Sequence, residues 1–158
     1  MELYFLRHGT ADRRSEWLGE DSLRALTEDG AAGVRRVVRV LAETGLKLDA
    51  IVSSPLTRAR QTADIAAEEL KHSAGVVEDE RLAGGLNKQR LAALLADLGR
   101  PQRLMLVGHE PDFSLTVGQL TGGSVICKKG GVARVDITDE KALRGVLVWL
   151  LPPRLVGG

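Results

Sequence analysis

Six short apolar runs alternate with four longer amphipathic ones along the 158-residue chain. The runs at 2–7, 49–53, 104–108, 131–137 and 145–151 are β-branched or leucine-rich and bounded by Gly, Pro or charge, which marks strands. Val76-Val77 is a weaker sixth. Residues 28–44 place Ala31, Val34, Val38 and Leu41 on one helical stripe, with Thr27 as N-cap and Gly45 as stop. Residues 55–71 read as a second helix, with Ser54 as N-cap and Pro55 in its first turn. Asn87 caps a third through Leu98, ended by Gly99 and Pro101. A fourth runs from about Pro111 to Leu120 and stops at Gly122-Gly123.

Strand and helix therefore alternate until a closing strand pair. That order predicts an α/β protein: a three-layer α/β/α sandwich whose central sheet is mostly parallel, with helices on both faces. The last two runs turn around Asp139 to Gly145 and predict an antiparallel hairpin at one edge. One domain spans 1–158, with 152–158 expected as a flexible tail because of Pro152-Pro153 and Gly157-Gly158. Residues 10–26 are polar and irregular. Following the first strand, they overhang its carboxyl end, either as a substrate-recognising loop or as a solvated connection.

Composition narrows the function. With 44% apolar and 27% charged residues the chain reads as soluble and globular. A net charge of +1 supplies no bulk attraction to nucleic acid or membrane, and 3% aromatics leave few platforms for stacking bases. No apolar run reaches the length of a membrane span, and Met1-Glu2-Leu3 does not begin like a signal peptide. One cysteine, Cys127, rules out an intrachain disulfide and fits a reducing cytosol. The expectation is a cytoplasmic monomer.

The chemistry sits at strand ends. Leu3-Tyr4-Phe5-Leu6 delivers Arg7, His8 and Gly9 to the carboxyl end of the first strand, where open α/β sheets bind ligands. Gly9 allows a tight turn or close approach to a ligand. Two further runs repeat the pattern of strand, polar residues and helix start: Ile51 to Arg58, and Leu104 to His109. If these strands are parallel, Arg7, His8, Arg58 and His109 converge. Singly, each has an ordinary alternative, such as a strand-end salt bridge for Arg7 or a solvated loop for His8.

Together, two guanidinium groups can grip phosphoryl oxygens bidentately, while helix N-termini after Ser54 and His109 add N–H donors. Two arginines repel a cation, so neither a metal nor any other cofactor is expected. Neutral His8 then serves as a nucleophile that forms a phosphohistidine, with His109 as a donor to the same oxygens. His72, at a helix C-terminus, reads as structural. Cys127 reads as a small buried hydrophobe. Trp17 and Phe113 are candidates for the site mouth, although Phe113 also suits packing a helix onto the sheet.

Three segments carry a family resemblance: Leu6-Arg7-His8-Gly9, Ser53-Ser54-Pro55-Leu56-Thr57-Arg58-Ala59-Arg60-Gln61-Thr62-Ala63, and Val107-Gly108-His109. They resemble the histidine phosphatase superfamily, also called phosphoglycerate-mutase-like. The resemblance implies that fold, with His8 as the phosphorylated nucleophile and Arg7, Arg58 and His109 completing the phosphate pocket. The compact chain is most similar to the SixA-type phosphohistidine phosphatases. Asp21 to Gly30 is similar to that group's Ser-Asp-x-x-Arg-Pro-Leu-Thr-x-x-Gly stretch, with Ala25 for proline, and Lys128-Lys129-Gly130 resembles its Lys-Gly pair. Gly9, Ser54, Arg24 and Lys128 are accordingly expected at the substrate.

Mutase-like relatives carry a glutamate two residues after an Arg-Leu pair, as general acid/base. Here Ala83 and Gly84 follow Arg81-Leu82. An alkoxide leaving group needs that proton, whereas the labile P–N bond of phosphohistidine breaks once the ring is protonated. Glu110 and Asp21 are the remaining proton-donor candidates. The expected activity is hydrolysis of phosphohistidine on a partner protein in a phosphorelay or phosphotransfer chain. The alternatives are a small-molecule phosphomonoesterase and a phospho-partner binding module without turnover.

Overall fold

The computed structural model describes residues 1–157. Six strands and four helices follow in the expected order: β1 (Glu2–Arg7), α1 (Glu28–Glu43), β2 (Ala50–Ser53), α2 (Thr57–Glu69), β3 (Val76–Glu78), α3 (Lys88–Asp97), β4 (Arg103–Gly108), α4 (Asp112–Thr121), β5 (Val132–Asp139) and β6 (Arg144–Leu151). They build one six-stranded sheet in the order β3-β2-β4-β1-β5-β6. β3, β2, β4 and β1 are mutually parallel, and β5 and β6 form the antiparallel edge.

The two-residue period of the strands explains the three layers. Leu3 and Phe5 of β1, with Leu104 and Leu106 of β4, face α3 and α4, where they meet Leu91, Leu94, Phe113 and Val117. The intervening Tyr4, Leu6, Met105 and Val107 face α1 and α2 and meet Val34, Val38, Ala59 and Ala63. Buried on both faces, such strands must be apolar throughout, as these are. Each fully buried Leu or Phe contributes about 1.5–3 kcal/mol. Phe113 is among them and packs edge-on against Phe5 with ring centroids 5.3 Å apart, so it anchors α4 to the sheet.

The caps follow the sequence with one exception. Thr27 accepts from Gly30 N, and Asn87 accepts from Arg90 N. Gly45, Gly99 and Gly122 adopt the left-handed conformation after their helices. Ser54, however, does not cap α2. The helix starts at Thr57 with Leu56 in the cap position, and Ser54 lies in the turn before it. The tail expectation also fails for 152–157. Pro153–Leu155 forms a 3-10 turn, Val156 packs against the core, and Pro153 sits beside Gly33 and Gly130. Gly158, the last residue of that expected tail, lies outside the described residues.

One close approach ties fold to site. A Cβ on Gly30 would lie 2.0 Å from the Thr10 carbonyl oxygen, and one on Gly9 would lie 2.9 Å from the Gly30 carbonyl oxygen. The first turn of α1 therefore presses directly on the loop that follows His8. Among the described residues no helix is long and apolar enough to cross a membrane.

Candidate active site

β4 lies between β1 and β2, and the parallel register aligns Arg7 with Gly108 and Ser53 with Val107. This topology places His109 between His8, which follows β1, and Arg58, which opens α2 after β2. The rings of His8 and His109 are 5.2 Å apart, centroid to centroid. Both histidines and Arg58 are buried. They line a cleft of about 430 Å³ together with Arg7. The convergence expected from three separate segments is what the sheet produces.

The backbone around His8 is held on three sides. His8 N donates to Gly108 O at 3.0 Å, and Gly130 N donates to His8 O at 2.9 Å. Gly9 N donates to Thr62 Oγ1 at 3.1 Å, and that hydroxyl donates to Arg58 O at 2.8 Å. Thr62 thus couples the loop after His8 to the first turn of α2. It lies within the Ser53 to Ala63 segment, but only the fold reveals this contact.

The tautomer of His8 follows from one hydrogen bond. Nδ1 is 2.7 Å from the Gly9 carbonyl oxygen, which can only accept. Nδ1 therefore carries the proton, and Nε2 keeps its lone pair. Burial pushes His8 down to about 4, with Arg58, Arg7 and Lys129 adding to burial and the Gly9 contact opposing it. The ring is neutral at physiological pH, as a nucleophile requires.

His109 is pushed down to about 3, first by burial and then by His8 and Arg58. Its Nε2 lies 2.7 Å from Ser54 Oγ, and its Nδ1 is buried without a partner. Both arginines are anchored to protein acceptors. Arg7 donates to Cys127 O at 2.9 Å, and Arg58 donates to Asp21 O at 3.0 Å and to Asp21 Oδ2 at 3.3 Å. The Nε atoms of both are buried with no partner among the described residues. Three unsatisfied nitrogens on the residues of one cleft are expensive unless an anion joins them. A phosphoryl group, with three acceptor oxygens, matches that demand.

The secondary residues distribute differently from expectation. Arg24 lines the cleft and donates to Asp21 Oδ1 at 3.1 Å and to Asp12 O at 2.8 Å. Ser54 is fully buried, so it reaches substrate only through His109. Gly9 is buried, packs against Gly30 and does not line the cleft. Lys128 stands outside the cleft, and its neighbour Lys129 lines it, because the turn that hydrogen-bonds to Arg7 and His8 points Lys129 inward. Arg14 also lines the cleft. Trp17 does not, and its Nε1 donates to Glu20 O at 2.8 Å.

Neither acid candidate is free. Burial opposes ionisation of Asp21, but the Arg24 hydrogen bond and the charges of Arg58, Arg24 and Arg14 outweigh it and hold its carboxyl below the ordinary range. Asp21 is therefore an anion bound to arginines. Glu110 accepts from Ser114 N at 2.8 Å and from Ser114 Oγ, closing the first turn of α4. Ser114 Oγ in turn accepts from Cys127 N at 3.0 Å, next to the carbonyl that orients Arg7. Ala83 and Gly84 line the cleft where the mutase-type acid is missing. Among the described residues no group of three or more His, Cys, Asp or Glu side chains could hold a metal ion.

A doubly covered, mostly parallel sheet with an arginine- and histidine-lined cleft at its carboxyl edge defines an α/β protein built to bind an anion. The chain belongs to the histidine phosphatase superfamily (branch 1), whose family model matches residues 3–84. It is 40% identical to an uncharacterized protein of Picosynechococcus sp. (strain ATCC 27264 / PCC 7002 / PR-6), over 96% of this chain and 100% of that one. In fold it is similar to the protein histidine phosphatase SixA complexed with tungstate, at a TM-score of 0.88 and 22% identity, covering 99% of this chain and 100% of that one. It is also similar to the alpha-ribazole phosphatase from Shigella flexneri, at a TM-score of 0.76 and 17% identity, covering 100% and 99%.

Proposed function

We propose that the protein hydrolyses phosphohistidine on a partner protein through a covalent intermediate on His8. The observation that carries this reading is the state of the three carboxylates lining the cleft. Asp21 is bound to arginines, Glu110 to Ser114, and Asp112 accepts from Leu86 N at 3.2 Å. No carboxylic acid stands ready to protonate an alkoxide. A phosphoramidate needs none, because its ring nitrogen takes a proton from solvent and leaves as neutral imidazole.

In this mechanism His8 Nε2 attacks phosphorus as the substrate P–N bond breaks. Arg7 and Arg58 hold the equatorial oxygens, and His109 Nδ1 donates to one of them. Water then attacks the phosphohistidine at His8, and phosphate leaves as the His8 lone pair is restored. Fixed donors around a transferring phosphoryl group act mainly by electrostatic stabilisation, and losing one costs about 3–4 kcal/mol.

The small-molecule phosphomonoesterase is the second reading. It is favoured by the position of Glu110, which lines the cleft and would serve as acid if it released Ser114. A panel of phosphohistidine protein, phosphoramidate and sugar phosphates separates the two. Preferential turnover of the P–N compounds is expected, and faster sugar phosphate turnover by orders of magnitude overturns the first reading. Acid-labile, base-stable label on His8 after substrate mixing is expected; phosphate binding without any label would instead indicate a binding module.

A further inference from the structure

A second groove opens beside the cleft and shares Arg7 and Lys129 with it. Its volume is about 900 Å³. One wall is the turn carrying Lys128 and Lys129, and the other is the C-terminal turn with Pro152, Pro153, Arg154 and Leu155. No lining residue is acidic. The contrast with the cleft is sharp, because there Arg14, Arg24 and Arg58 all pair with Asp21. Lys128, Lys129 and Arg154 are exposed and make no ion pair among the described residues. On a chain of net charge +1, this is a local concentration of uncompensated cations.

The groove is also built. Pro153 packs beside Gly33 and Gly130, Leu155 N donates to Pro152 O at 3.1 Å, and Val156 is fixed against the core. This anchoring holds Arg154 and Leu155 outward, with Leu155 at 74% exposure. An exposed leucine beside two prolines offers an apolar footing amid the charges, and such mixed rims suit protein partners. A nucleic acid would meet the same charges, but the groove holds no aromatic ring on which a base could stack.

We infer that this groove docks an acidic segment flanking the phosphohistidine of a protein substrate. The inference rests on the phosphohistidine reading of the adjoining cleft. Arg7 joins the two, so a phosphoryl group in the cleft places its flanking chain over Lys128, Arg154 and Leu155. The fixed charges raise the encounter rate with acidic partners and penalise basic ones.

The test uses three histidine peptides, phosphorylated chemically, with Asp/Glu, Gly/Ser or Lys flanks. At low ionic strength the wild-type protein is expected to favour acidic over neutral flanks in kcat/KM by about tenfold, a preference that added salt erodes. The double variant Arg154→Glu/Leu155→Ser is expected to lose this preference and keep wild-type turnover of free phosphoramidate. Equal turnover of all three peptides, or a preference retained by the variant, overturns the groove. Binding of the unphosphorylated peptides, read by fluorescence anisotropy, tests docking without turnover. If acidic peptides bind and the variant does not hold them, while no phosphopeptide is hydrolysed, the groove stands and the phosphohistidine reading falls. Tighter binding of a single-stranded oligonucleotide than of the acidic peptide overturns the docking assignment.

Discussion

Ser54 Oγ lies 2.7 Å from His109 Nε2, and the same oxygen accepts from Leu56 N at 3.2 Å. Among the described residues His109 Nε2 is the one acceptor within reach of this hydroxyl, because the Leu56 amide can only donate, so the hydroxyl proton points at that nitrogen. The remaining ring proton then sits on Nδ1, the nitrogen without a partner. Ser54 therefore selects the tautomer in which His109 donates a hydrogen bond. Its sequence position suggested a helix cap and a substrate contact, and the fold turns it into a positioning residue behind a histidine.

Replacing Ser54 with alanine leaves His109 free to rotate and to change tautomer. The expected outcome is a fall in kcat of about 10²-fold, the scale of a small misplacement at a reacting centre, with a much smaller change in KM. Steady-state kinetics read both. A variant with unchanged kcat would show that His109 orients without Ser54.

His8 is the proposed nucleophile, because its Gly9 contact puts the ring proton on Nδ1 and leaves the lone pair on Nε2. In His8→Ala, covalent label is expected to vanish while tungstate binding persists through the arginines. Because His8 is pushed down to about 4, kcat/KM of the wild type should fall only as the pH approaches that value and stay flat near neutrality. A rapid-mixing label assay and a pH–rate profile check both statements. Wild-type labelling of the alanine variant would remove the assignment.

The buried histidines also shape stability. His8 and His109 are pushed down from the ordinary imidazole value of 6.5 to about 4 and about 3, first by burial. Between those values and 6.5 the unfolded chain binds more protons than the folded one, so unfolding free energy rises with pH. Stability is complete above about 6.5 and is lost as acid approaches the folded values, by a few kcal/mol in order of magnitude. Denaturant midpoints from pH 7 to pH 4 should decline steeply in the wild type and less so in His8→Asn/His109→Asn. Parallel declines would assign the acid sensitivity to other groups.

How far the sequence reaches depends on the range of each contact. Strand and helix positions were legible because period 2 and period 3.6 are local, and Thr27, Asn87 and Gly122 marked boundaries through local capping. His8, Arg58 and His109 were legible because the parallel order sends three strand ends to one edge. What escaped is long-range: Ser54 with His109, Gly9 with Thr62, Asp21 with Arg58, and the C-terminal turn seated by Pro153. Each brings together residues more than twenty positions apart, a separation no periodicity encodes. Lys128 and Lys129 were indistinguishable in sequence, and a hydrogen-bonded turn decides which one faces the cleft.

Asp21 occupies the guanidinium that an oxyanion would need. Its carboxylate sits on Arg58, while its backbone carbonyl holds the same guanidinium independently. Asp21→Asn removes the competing charge and keeps the backbone contact. Tungstate or phosphate should bind about twofold to fivefold more tightly, the range given by an ion pair with one partly exposed partner. Label formation on His8 should persist, since Asp21 is an anion and not an acid. Isothermal titration calorimetry gives the affinity. A variant that binds oxyanion normally and turns over neither phosphoramidate nor phosphomonoester would restore Asp21 as the proton donor.

Gly30 tests whether the scaffold and the site are one structure. A β-carbon there would collide with the Thr10 carbonyl at 2.0 Å, so Gly30→Ala must push α1 away from the loop that follows His8. Overpacking of this kind costs about 1–3 kcal/mol, and a backbone clash lies at the upper end. That same loop carries Gly9, whose carbonyl fixes the His8 tautomer and whose amide meets Thr62. The variant is expected to lose stability in denaturant titration and to lose His8 labelling rate even at temperatures where it remains folded. Gly33, on the next turn, offers the control: a β-carbon there meets nothing closer than 3.7 Å, so Gly33→Ala should leave labelling intact. If Gly30→Ala lowers stability while labelling proceeds at the wild-type rate, then His8 is held by Gly108 and Gly130 alone, and the pressure of α1 on the loop serves only the fold.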